Sequence, residues 1–153
     1  MQLTLRDSFE FPRPASMEWD PILCGLWVAV DGPQVFLLTP GGKVIRDIAP
    51  GMRVIRSLTV EEDGLLLVDG RGGVQRVTRE GEARGAPFRL HPDLRDVEGI
   101  TRDATGDFLV VQDDVSRLYR VSHEGEMRQV REGAAYEPAL AGVLSRTLAA
   151  NAG

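Results

Sequence analysis

A chain of 153 residues with 42% apolar and 27% charged side chains has material for one hydrophobic core and too little for two comfortable domains. Its formal charge of −5 disfavours a general nucleic-acid binder, which concentrates a surplus of Lys and Arg on one surface. No apolar run is long enough to span a bilayer.

The first residues, MQLTLRDSFEF, interrupt any apolar segment with Arg6, Asp7 and Glu10, so no export signal is expected. Leu3, Leu5, Phe9 and Phe11 alternate onto one side, which predicts an extra strand within residues 1–12. From there to about residue 135 the chain is a series of short apolar runs rich in Val and Leu, each bounded by turn formers, which reads as β-strands throughout.

The first unit, about residues 16–52, begins with a strand near Met17 to Asp20 that Pro21 cuts short. The runs LWVAV from Leu26 and VFLL from Val35 follow, joined at Asp31-Gly32, and an outer strand is expected from Lys43 to Ile48. Trp27 reads as core, and Cys24, as the single cysteine, reads as a small buried apolar residue that fits a reducing compartment. The second unit, about 53–94, has strands expected at Val54 to Val60, Leu65 to Val68, Val74 to Val77 and Glu82 to Phe88. Its turns are Asp63-Gly64 and Gly70-Arg71-Gly72-Gly73; the latter lacks the lysine and following helix of a phosphate loop and reads as a hairpin. The third unit, about 95–135, has strands near Val97 to Thr101, Phe108 to Gln112, Leu118 to Val121 and Glu126 to Val130. Beyond it, Pro138 and the spacing of Leu140, Val143, Leu144 and Leu148 predict a short helix over 138–150.

The three units are copies. The third strand of each ends in a hydroxyl residue, Thr39, Thr78 or Ser122, followed three residues later by Gly42, Gly81 or Gly125. The second strand of each ends at an acidic residue, Asp31, Asp69 or Asp113, and these three are expected to be equivalent. A four-stranded meander repeated about every forty residues predicts an all-β fold of three antiparallel β-propeller blades in a single domain. Three blades are fewer than the four to eight that close a ring, so a partial propeller completed by oligomerisation is expected: a homodimer or higher homo-oligomer, or a place among other subunits.

The third unit, Asp96-Val-Glu-Gly-Ile-Thr-Arg-Asp followed by Phe108-Leu-Val-Val-Gln-Asp-Asp, resembles blades of the NHL, SMP-30 gluconolactonase and SdiA-regulated propeller families. In such lactonases a glutamate in a Glu-Gly context helps hold a divalent cation at the central channel. The resemblance implies that Glu98 is such a ligand, with Asp69 or Asp113 nearby, for a divalent cation such as Ca2+. The Glu-Gly pair is not repeated in the second unit, and no His or Asn set completes a site. His91 and His123 fall in expected turns, and no Ser-His-Asp or Cys-His arrangement is discernible.

The expected function is therefore a non-enzymatic structural or protein-interaction module of a larger assembly, a virion component included, located in the cytoplasm or within that assembly and needing no cofactor. The alternative is a metal-dependent hydrolase or lactonase with its site at the channel of a dimeric six-bladed ring.

Overall fold

The computed structural model describes residues 10–113, 117–122 and 125–130. It is all-β, with three four-stranded antiparallel sheets of meander order. The first blade is β1 Pro14–Asp20, β2 Gly25–Val30, β3 Val35–Leu38 and β4 Val44–Ile48; the second is β5 Ser57–Glu61, β6 Gly64–Val68, β7 Gly73–Val77 and β8 Phe88–Arg89. The third is β9 Val97–Arg102, β10 Phe108–Gln112, β11 Arg117–Val121 and β12 Met127–Gln129. The inner strands β1, β5 and β9 adjoin one another in sequence, as blades around an axis require.

The hairpins that close the third strand repeat atom for atom. The amides of Thr39, Thr78 and Ser122 donate to the carbonyls of Lys43, Glu82 and Glu126, while the amides of Gly42, Gly81 and Gly125 donate to the carbonyls of the three hydroxyl residues. The hydroxyls accept from the amides of Lys43, Glu82 and Glu126 at 3.1, 3.3 and 3.2 Å. Each glycine has φ between 80° and 91°, where a side chain is strained.

These hairpins set the true register. Leu38 pairs with Leu26, Val77 with Leu65 and Val121 with Phe108, so Ala29, Val68 and Val111 are equivalent. Asp31 then corresponds to Gly70 and Asp113, and Asp69 lies one residue earlier: the expected equivalence of the three aspartates fails at Asp69. A one-residue slip exchanges the two faces of a strand. With the register corrected, stacking is uniform. Trp27, Ala29, Val35 and Leu37 of the first blade pack against Leu58, Leu65, Leu67 and Val77 of the second. The opposite face of the second blade, Leu66, Val68 and Val74, packs against Ile100, Phe108, Val110, Tyr119 and Val121 of the third. Every residue of β6 is buried because both its faces are covered.

Among the described residues, two faces have no further blade beside them. On the first blade this face carries Met17, 68% exposed, and Trp19, 46% exposed, with Val44 and Ile45 on the outer strand. Val28 and Leu38 beside them are buried, and Phe36 takes the edge of Phe11, with ring centroids 5.3 Å apart. On the third blade the open face carries Val111, Leu118 and Val130, all exposed, with Arg120 and Arg128.

Several local expectations shift. β1 starts at Pro14, and Pro21 stands just past its end, where a missing amide costs nothing. The fourth strand of the second blade shrinks to Phe88–Arg89 plus a Val77–Ala83 bridge, because Gly85, at φ 74°, and Pro87 break the pairing. Cys24 is exposed, not buried: it sits at φ 49° in the turn between β1 and β2. Trp27 is core as expected. Residues 10–12 carry no strand, and the rest of the expected N-terminal strand, His123 and the expected helix over 138–150 lie outside the described residues.

Candidate functional site

A cleft of about 740 Å3 opens where the link between the first two blades meets the β6–β7 hairpin. Arg53, Arg56 and Arg71 line it together with Asp69, Asp96 and Glu98, over a floor that includes Met52, Val74 and Phe88. Two of the three sequence-derived ligands thus share one cleft, and Asp113 is not among its lining residues.

Each owes its place to local structure. Glu98 is the extra residue of a β-bulge: Gln112 pairs with Val97 and Val111 with Gly99, which turns the Glu98 side chain out of the alternation into solvent. Asp96, just before it, has φ 44°, as does its counterpart Arg13 at 45°, and their carbonyls accept from the amides of Asp113 and Asp31, just past the ends of the neighbouring strands. Asp69 Oδ1 accepts from the amides of Arg71 and Gly73 at 2.7 and 2.8 Å, so this carboxylate caps the hairpin. A Cβ on Gly73 would lie 2.6 Å from Asp69 Oδ2. Among the described residues, no three His, Cys, Asp or Glu side chains group closely enough to hold a metal ion. His91 Nδ1 accepts from the Asp93 amide at 3.2 Å, a turn contact.

The acidic residues that repeat in structural role are others: Asp20, Glu61 and Asp103, at the ends of the inner strands. Asp20 is fully buried. Its Oδ2 accepts from Trp27 Nε1 at 2.9 Å and Arg79 Nε at 2.7 Å, and its Oδ1 from the amides of Ile22 and Leu23. Burial alone would raise its pKa, but donation from Arg79, Trp27 and the two amides outweighs that and holds it at about 2. Glu61 pairs with Arg76 of its own blade at 3.1 Å and with Arg102 of the next at 2.8 Å. Asp103 accepts from Thr105 and pairs with Arg120 at 3.0 Å; the Thr105 hydroxyl and amide, Arg120 and the Asp107 amide lower its pKa against burial. These carboxylates staple blades and turns. Sequence reasoning misses them because their partners lie up to 59 residues away; the one signal is an acid recurring at the end of each inner strand.

At Glu61 lies a second cleft of about 670 Å3, lined also by Glu18, Arg76, Arg84 and Arg102 among others. Arg84 is held by Asp63, so its guanidinium, like those of Arg76 and Arg102, already has a carboxylate. Glu18 Oε2 accepts from the Val60 amide at 2.9 Å, and desolvation raises its pKa despite that bond.

No protein-family model matches the chain, and no curated protein matches it in sequence. Solved structures do match in fold. Selenomethionine-substituted virginiamycin B lyase from Staphylococcus aureus superposes at a TM-score of 0.56 with 17% identity, over 79% of this chain and 42% of that one. The catalytically inactive lyase with quinupristin gives 0.57, at the same identity and coverage. A protein of unknown function from Bacteroides caccae gives 0.52 with 17% identity, over 81% of this chain and 47% of that one. The class is thereby defined as a β-propeller of three described blades. The chain spans less than half the length of each of these neighbours, and at this identity the likeness establishes the fold alone.

Proposed function

We propose that this chain is a non-catalytic propeller module that works by assembling, first with itself. The observation that supports this reading is the pair of open blade faces. Met17 and Trp19 on one, and Val111, Leu118 and Val130 on the other, are exposed at register positions whose counterparts between the blades are largely buried. Apolar patches of this kind on soluble domains mark interfaces. The ionic groups near the inner strands support it too, since they are consumed in structural pairs. Light scattering across the micromolar range tests the reading: a mass of two or more chains is expected, and a monodisperse monomer would overturn it.

A second reading, a Ca2+-dependent hydrolase or lactonase, is favoured by the meeting of Asp69 and Glu98 in one cleft. Its test is a calcium titration of the chain and of Glu98→Ala. Saturable binding lost on substitution would establish it, and no binding would remove it.

A further inference from the structure

The two open faces are the two unlike halves of one interface, and we propose that they join head to tail, the third blade of one chain seating on the first blade of a second copy. The inference rests on the self-association reading and adds its polarity and contacts. Inside the chain every junction has the same hand: the face of Trp27 and Ala29, or of Leu66 and Val68, meets the opposite face of the following blade. Among the described residues one face of each kind has no blade beside it, so a second copy presents the complement of both. Two copies make six blades, within the four to eight of closed propellers, and two-fold rotation about the ring axis forms both junctions at once.

The internal junctions specify the new one residue by residue. Ser16 Oγ accepts from the Leu58 amide at 3.2 Å, and its counterpart Ser57 Oγ accepts from the Ile100 amide at 3.1 Å. By register the third member of that series is Gly99, facing Met17 of the second copy. Thr59 donates its hydroxyl to the Ile100 carbonyl at 3.3 Å, and Thr101 is its equivalent. On the outer strand Arg46 reaches the Arg79 carbonyl at 2.7 Å and Glu80 at 3.0 Å. Arg128 holds the same register position and would meet the Thr39–Gly42 hairpin. The junction between copies therefore lacks one hydroxyl acceptor that both internal junctions have, and Trp19 replaces the Arg102 of the interior.

Cross-linking tests the polarity in a Cys24→Ser background. Chains carrying Met17→Cys and chains carrying Gly99→Cys are oxidised separately and then as a mixture. A Cβ at Gly99 meets nothing within 4 Å and Met17 is exposed, so both variants are expected to fold. A disulfide-linked dimer is expected only in the mixture. Self-linking of either variant, or no link in a sample whose mass is that of a dimer, overturns head-to-tail joining while self-association stands; a monomer sinks both. The complementary test is Gly99→Ser, which restores the missing acceptor at two junctions. Dimerisation is expected to tighten by roughly ten- to thirtyfold, the size of two net hydrogen bonds, and unchanged or weaker dimerisation counts against the register.

Discussion

Arg79, in the third hairpin of the second blade, reaches across to the first and closes on the fully buried carboxylate of Asp20, 2.7 Å from Nε to Oδ2. The same carboxylate holds the indole of Trp27 and caps the turn that begins at Pro21. One side chain thereby orders a turn, a core aromatic and a blade junction.

Asp20→Asn is expected to destabilise the chain by about 2–4 kcal/mol near neutral pH, because it leaves the largely buried Arg79 guanidinium without its counter-charge. The pH dependence has a definite sign. A carboxyl at about 2 when folded, against an ordinary value of 3.8, stabilises the fold above pH 4, by roughly 2 kcal/mol, and that contribution is lost as pH falls toward 2. Chemical denaturation from pH 7 down to 2 checks it: the wild type should lose stability over this acid range and the variant should lose less.

Glu18 has the opposite sign. Desolvation raises its pKa, so the folded state favours the neutral acid and loses stability as pH rises through 4.5 and beyond. Glu18→Gln keeps an oxygen for the Val60 amide while removing the charge. It should be neutral or stabilising above pH 6, by up to about 1 kcal/mol; a clear loss in thermal melts at that pH would contradict the burial argument.

Ser57→Ala removes the acceptor for the Ile100 amide in a buried setting, and a cost of about 1–2 kcal/mol is expected. Hydrogen exchange locates the damage. Ile100 should lose protection more than amides at the junction of the first and second blades, whose bond to Ser16 is untouched.

Gly64→Ala places a Cβ against the Val77 carbonyl oxygen, backbone against backbone, so neither atom can move aside as a side chain would. A loss of roughly 3 kcal/mol or more is expected, measured as the drop in denaturant midpoint. Gly99→Ala, with open space around its Cβ, is the control and should change little.

The blade plan is legible in the sequence where local chemistry governs it. The hydroxyl-to-glycine hairpins at Thr39, Thr78 and Ser122 announce themselves because the turn needs an acceptor and a positive φ at fixed spacing. Aligning Asp31, Asp69 and Asp113 fails at Asp69 because its carboxylate caps its own hairpin through the Arg71 and Gly73 amides, a local role that does not fix its register against Asp31, although the two turns are equally long. The short β8 follows from Gly85 and Pro87, both visible, yet a run with the right apolar ends overshadows them. Of the candidate site, Glu98 and Asp69 do come to one cleft, whereas the bulge that aims Glu98 depends on pairing with Val111 and Gln112 that no local pattern encodes. The staples at Asp20 and Glu61 cross between blades and that at Asp103 joins separate strands of one blade, and composition is blind to all three.

The burial of all five residues of β6 places the second blade between two neighbours, while each outer blade within one chain leans on a single one. Stacks of this kind behave as short one-dimensional arrays, in which an end unit can fray at the cost of one contact surface and the centre only by severing two. In a chain diluted until it no longer joins a second copy, the slowest-exchanging amides should therefore cluster at Leu65, Leu66 and Leu67, with protection decaying toward the first and third blades.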